Sequence, residues 1–137
     1  MSNRNRELVA QLKGFGAFAS LGDRDLEDLI EAGGEFHLPA GWPLVQEGIP
    51  ADACYFISDG HALVFYLRQQ VATLGPGDVV GEMALLDGGQ RKATVTSSTR
   101  ISGIRIDNDK LREVMAAHPA VADAFRAVYA KHSGGTE

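Results

Sequence analysis

The residues best suited to chemistry lie in one stretch, Gly75 to Thr96, which reads GPGDVVGEMALLDGGQRKATVT. Its order of glycine, acid and arginine suits an anion. Gly81 has no side chain, so a ligand can approach the backbone closely there. A short helix over Glu82 to Leu86 is expected before Asp87-Gly88-Gly89 breaks the chain, and its free N–H groups would point at an anion. Arg91 follows, and a guanidinium forms bidentate, charge-assisted bonds to phosphate. Each such bond is worth about 1.5–3 kcal/mol net. Glu82, at the start of the same helix, would repel a phosphate placed beside it. It makes sense if it accepts a hydrogen bond from a neighbouring hydroxyl, such as a ribose 2′-OH. Together these groups suit a sugar that carries a phosphate.

Other phosphate motifs fail on spacing. A P-loop needs a Gly-Lys pair, and the sequence has none. Gly75, Gly77 and Gly81 fall one residue off the dinucleotide fingerprint, which also needs a full helix behind it. Taken singly, the pieces are ordinary: a lone glutamate at a helix start usually serves the dipole, and a lone arginine after a glycine-rich turn is usually solvated. Other reactive side chains form no constellation. A metal-dependent barrel enzyme needs clustered histidines with a carboxylate. His37, His61, His118 and His132 occupy separate segments without an H-x-H pair, and each reads as a surface or turn residue. Cys54 reads as core, and Asp59 and Asp87 as turn residues. No catalytic residue, metal site or cofactor is expected, and the chain reads as a binding module and not an enzyme.

The elements that must position this stretch follow from periodicity. Leu8, Leu12 and Phe15, with Val9 beside them, mark one apolar helical stripe. Ser20 precedes Asp23 at capping-box spacing, Leu26, Leu29 and Ile30 follow at helical spacing, and Gly33-Gly34 ends that helix. From residue 35 to 106 the period changes to two. Apolar runs at Glu35–Leu38, Leu44–Gln46, Cys54–Ile57, Ala62–Tyr66, Val71–Leu74, Ala93–Thr96 and Ile101–Ile106 are punctuated by turns. Those turns are Pro39-Ala40-Gly41, Gly48-Ile49-Pro50, Ser58-Asp59-Gly60 and Gly75-Pro76-Gly77-Asp78. Seven or eight short strands of this kind predict a sandwich, barrel or roll. Thr94, Thr96 and Ser98 alternate with Ala93, Val95 and Ser97, so one face of that strand is polar. Asp107 or Asn108 can cap a helix through Ala117, and Pro119 suits the first turn of another. In it Val121, Ala124, Phe125, Val128 and Tyr129 make an apolar stripe. The organisation is thus a single domain over 1–137: helices in 1–34, strands in 35–106 with the chemical segment at 80–95, helices in 107–132, and a flexible tail in 133–137.

With these elements in place, Gly81-Glu82-Met83-Ala84-Leu85-Leu86, a spacer, and Arg91-Lys92-Ala93-Thr94-Val95 resemble the phosphate-binding cassette of the cyclic nucleotide-binding domain family, G-E-x-A-L then R-x-A-T/S-V. Gly75-Pro76-Gly77-Asp78 and the Phe56-Ile57-Ser58-Asp59-Gly60 turn also resemble family landmarks. The resemblance runs from the helix after Ser20 to the helix after Pro119. It implies a mainly β fold with flanking helices: an eight-stranded antiparallel β-roll of jelly-roll type, with N-terminal helices, a short cassette helix and two C-terminal helices. It implies that cAMP or cGMP is bound with Arg91 on the cyclic phosphate and Glu82 on the ribose 2′-OH. Backbone N–H groups near Met83, Ala84 and Lys92 would complete the cradle begun at Gly81 and closed at Ala93. Val64, Val71 and Ala72 would face the base, and the last helix would close as a lid, which nominates Phe125, Arg126 and Tyr129. Core packing is the competing reading of Phe125 and Tyr129. Lys92 stands where cGMP-selective members often carry Thr or Ser, which favours cAMP. Val80 replaces an aromatic residue frequent before the Gly-Glu pair.

The expected function is therefore a regulatory module that couples cyclic nucleotide to its C-terminal helix and hence to a protein partner or fused effector. The alternative is a β-roll scaffold that docks proteins without nucleotide. Composition agrees with a sensor: 137 residues with a net charge of −5 and no basic block argue against a nucleic-acid surface. The single cysteine points to no oxidising compartment. The longest apolar run, Ala62 to Leu67, is far short of the ~20 residues of a membrane span, and the polar first ten residues are no secretory signal. A cytoplasmic protein is expected, without a helix-turn-helix. The stripe from Val121 to Tyr129 would pack on its own roll or form a homodimer.

Overall fold

The computed structural model describes residues 3–46, 52–80 and 93–133. The turn expected at Gly48-Ile49-Pro50, the cassette helix with Asp87, Gly88 and Gly89, and the tail after Ser133 lie outside the described residues.

Two helices open the chain. Helix α1, Asn3–Lys13, buries Leu8, Val9 and Leu12. Its Arg4 guanidinium donates to both carboxylate oxygens of Glu35, at 2.8 and 2.9 Å, and so ties α1 to the first strand. A 3-10 turn, Gly16–Phe18, leads to α2, Asp23–Ala32, which buries Leu26, Leu29 and Ile30. The α2 cap differs from the Ser20/Asp23 expectation. Gly22 is the N-cap, and the Asp25 carboxylate accepts its N–H at 3.1 Å. Half of a capping box is thereby formed, three residues into a helix already favoured by its acidic first turn.

Eight strands form two four-stranded antiparallel sheets. They are β1 (Gly34–Leu38), β2 (Pro43–Val45), β3 (Ala53–Asp59), β4 (Ala62–Tyr66), β5 (Gln69–Leu74), β6 (Val79–Val80), β7 (Thr94–Ser97) and β8 (Ile101–Asp107). One sheet has the order β1-β8-β3-β6, the other β2-β7-β4-β5. This is the expected β-roll with flanking helices. The two-residue β6 is missing from the periodicity because it is too short to show a period; its pairing with Tyr55 and Phe56 of β3 defines it.

The first sheet is apolar on both faces. Cys54 and Phe56 of β3, Val79 of β6, and Ile104 and Ile106 of β8 face the helices in one apolar cluster. Tyr55 and Ile57 of β3, Val80 of β6 and Ile101 of β8 join a second cluster between the sheets. In the second sheet β7 alternates: Val95 and Ser97 are buried, while Thr94 and Thr96 are half-buried. This is the alternation read from the sequence. The buried Ser97 hydroxyl donates to the Pro39 carbonyl at 2.7 Å and accepts the Trp42 N–H at 2.9 Å, fixing the connection from β1 to β2. Gly103 of β8 lies between β1 and β3, opposite Phe36 and Ile57. A Cβ there would run into the Phe56 carbonyl, so only glycine lets the three strands close.

Two helices follow the roll. Helix α3, Asn108–Ala117, starts after the N-cap Asp107, whose side chain makes no cap bond. It accepts instead from Arg105 at 2.7 Å. The Asn108 side chain is buried and accepts the Cys54 thiol at 3.6 Å. Helix α4, Pro119–Ser133, begins at the expected proline. Its Phe125 packs edge-to-face on Phe18 and Phe56, with ring centroids 6.2 and 5.4 Å away.

Candidate functional site

Of the residues expected to hold a ligand, Gly81, Glu82, Met83, Ala84, Arg91 and Lys92 lie outside the described residues. The walls to which their segment is attached are described. On its N-terminal side, Gly75-Pro76-Gly77-Asp78 forms a tight turn. Gly77 takes φ +94° at its third position, a backbone that suits glycine. Asp78 closes the turn twice: its N–H donates to the Gly75 carbonyl at 3.0 Å, and its carboxylate accepts the Gly75 N–H at 2.8 Å. Gly77 N–H then donates to Ile57, and Ile57 N–H to Asp78, which locks the turn onto β3. A Cβ on Gly77 would press on the Phe15 ring at 3.1 Å. The chain is thereby delivered through β6, in the first sheet, to position 81. On the C-terminal side it rejoins at Ala93 and enters β7, in the second sheet. Residues 81–92 thus lie in sequence between β6 of the first sheet and β7 of the second.

The described candidates belong to β4, β5 and the entry to β7. Val64 on β4 is fully buried and pairs with Ala72 on β5 and Val95 on β7. Val71, Ala72 and Ala93 are partly buried against the same cluster between the sheets. Adjacent strand residues normally face opposite sides, so Val71 and Ala72 together need an explanation. The register supplies one: Val64 pairs with Ala72 but Phe65 with Gln70, so Val71 is the extra residue of a β-bulge. A bulge interrupts the alternation and turns a side chain that would otherwise point away. Val64, Val71, Ala72 and Ala93 thus all belong to the apolar cluster between the sheets, Val64 buried and the other three partly exposed.

The lid candidates sit on α4. Phe125 is fully buried in the first cluster, against Phe18 and Phe56, so it anchors α4 to the back of the first sheet. Core burial is what the amphipathic stripe of α4 predicts. Arg126 is exposed and bridges to Asp123 at 3.2 Å. Tyr129 belongs to α4, with its side chain outside the described residues.

Sequence reasoning missed His118. It is no free surface group: at the joint of α3 and α4 its ring contacts Asp25 and Asp28 of α2, 2.7 Å from each. Its partners lie 93 and 90 positions away in the sequence, so no local signal points to them. Asp28 is the main cause of the raised His118 pKa. His118 in turn holds the Asp28 carboxyl below its ordinary range. Among the described residues, no group of three His, Cys, Asp or Glu side chains is placed to hold a metal ion. No helix among them is long and apolar enough to cross a membrane. A cleft of about 270 Å³ between the end of α2, β1 and β8 includes none of the nominated residues. Its Glu35 and Arg105 are already engaged by Arg4 and Asp107.

Comparison with known proteins agrees with this architecture. The chain is 32% identical over 123 residues to a cyclic nucleotide-gated potassium channel of Mesorhizobium japonicum, covering 90% of this chain and 33% of the channel. It therefore spans about a third of that relative's length. Among solved structures, the cAMP-bound regulatory domain of Toxoplasma gondii PKA superposes with a TM-score of 0.72 at 28% identity, over 83% of this chain and 45% of that one. The Thermus thermophilus catabolite activator protein gives a TM-score of 0.75 at 25% identity, over 84% and 56%. The family model for the cyclic nucleotide-binding domain matches residues 35–118, from β1 through the whole roll to the α3–α4 joint. With that match over more than half of the chain and the two-sheet roll, the chain belongs to the cyclic nucleotide-binding domain family.

Proposed function

We propose that this chain is a cyclic-nucleotide sensor module that prefers cAMP to cGMP and works without metal or cofactor. The observation that carries the reading is that Val64, Val71, Ala72 and Ala93 all pack into the apolar cluster between the sheets, while residues 81–92 lie in sequence between β6 of one sheet and β7 of the other. A purine needs such an apolar, partly open surface. The phosphate and ribose need the charged groups that the sequence supplies next to it: Arg91 for the cyclic phosphate and Glu82 for the 2′-OH. Gly81 and backbone N–H groups near Met83, Ala84 and Lys92 complete the cradle. The cAMP-bound PKA regulatory domain among the structural relatives supports the ligand class.

The output is a shift in the position of the C-terminal helices, which a partner or fused effector reads. The channel relative, three times longer than the matched part, supports a fused effector.

Isothermal titration with cAMP and with cGMP tests the proposal. Both nucleotides bind, cAMP more tightly. Arg91→Ala weakens binding by tenfold to a hundredfold or more, as expected for about 1.5–3 kcal/mol per charge-assisted bond, and leaves the melting temperature of the free protein unchanged. A folded protein that takes up neither nucleotide would overturn the assignment.

A further inference from the structure

His118 is the only residue between α3 and α4, and it terminates both. Its N–H donates to the Val114 carbonyl at 2.8 Å as the C-cap of α3, with φ −130° and ψ 86° that end the helix. Its carbonyl accepts the N–H groups of Val121 and Ala122 in the first turn of α4. Pro119 has no N–H to offer, so His118 sets how α4 leaves α3. Its imidazole is 15% exposed and spans two carboxylates of α2, Nδ1 on Asp25 and Nε2 on Asp28. A neutral imidazole has one N–H donor and one acceptor nitrogen, and ionised carboxylates only accept. Both contacts are hydrogen bonds only when the ring is the doubly protonated cation.

We infer that His118 is a protonation-dependent latch that fixes the α3–α4 joint to α2 and releases it when the ring loses a proton. The neighbouring charges are consistent with this. On α2, Asp25 also accepts the Gly22 N–H, and Arg24 flanks Asp28 at 3.5 Å. Lys13 of α1 turns to Asp23. On α3, Arg112 turns to Asp109 and Glu113 is exposed; on α4, Arg126 turns to Asp123. The 3-10 turn against α4, Gly16–Phe18, carries no charge. None of these cations takes the place of the ring between the two aspartates. The two carboxylates raise the His118 pKa above its ordinary 6.5. The latch is therefore fully closed below that value and opens as pH rises through the raised one. The inference does not depend on which ligand the roll binds.

The test follows the full chain by NMR and by amide hydrogen exchange, corrected for the intrinsic pH dependence of exchange. The His118 ring titrates above the ordinary histidine value of 6.5, and Asp28→Asn lowers its midpoint. Protection of α4 amides falls as pH rises through the His118 midpoint. That pH dependence is lost in His118→Gln, which keeps a neutral hydrogen-bonding side chain. If His118→Gln does not fold, the Asp28→Asn variant gives the same answer, because its α4 transition must move down in pH with the ring. A His118 midpoint at or below the ordinary 6.5, or an α4 transition unchanged by both substitutions, overturns the latch.

Discussion

The two apolar clusters of this molecule are built from the same residue types but are closed differently. The first is sealed by helices. Phe18 from the 3-10 turn, Phe56 from β3 and Phe125 from α4 meet edge-to-face, with every centroid separation between 5.4 and 6.2 Å. The second is bounded by two sheets, and Val71, Ala72 and Ala93 lie partly exposed at its rim. A sealed cluster can only be packed well or badly. An open rim can exchange water for a ligand. The contrast gives stability and the holding of α4 to the first cluster and leaves to the second the nucleotide recognition proposed above.

The strongest way to break that division is Phe125→Ala. Removing a fully buried ring from the aromatic trio costs about 3–5 kcal/mol, read by urea unfolding, and leaves nucleotide affinity of the folded protein unchanged. Loss of affinity without loss of stability would move Phe125 to the ligand side and erase the contrast. Next in size is Ser97→Ala, which leaves the Trp42 N–H and the Pro39 carbonyl without their hydroxyl partner and costs about 1–3 kcal/mol. Faster hydrogen exchange confined to the β1–β2 connection, with the helices still protected, would sharpen the separation. The smallest effect is a gain. Leu67 and Arg68 form the β4–β5 turn with φ +51° and +66°, a conformation that costs non-glycine residues roughly 1–2 kcal/mol each. Replacing the pair by Asn-Gly stabilises the fold by about 1 kcal/mol, visible as a raised melting temperature with unaltered nucleotide binding.

The parts of this architecture that repeat along the chain were legible, and those that depend on distant contacts were not. The stripe Leu26, Leu29, Ile30 and the alternation through Val95 and Ser97 mark their elements directly, because burial imposes a period. Glycine and proline marked the ends. The cap of α2 fell to Gly22 because a backbone N–H can be satisfied by Asp25 without a hydroxyl at the N-cap. The bulge at Val71 left no trace in the sequence, since it exists only in the pairing of β5 with β4. His118 was read as a surface or turn residue because its partners are 93 and 90 positions away, and no local pattern connects them. The chemical segment itself showed the reverse balance: its order of Gly81, Glu82 and Arg91 was clear in the sequence, whereas the structure contributes its surroundings.

Trp42 is the chain's sole tryptophan and is half exposed, yet its backbone is held on both sides by Ser97. The protein thus contains one built-in fluorophore at one address, the far end of the second sheet from the β4–β5 turn. Its emission will report when that connection frays and will stay nearly silent about events at α4. Unfolding followed by tryptophan fluorescence and by helical circular dichroism therefore samples the two clusters separately, and any gap between the two transitions measures how independently they melt.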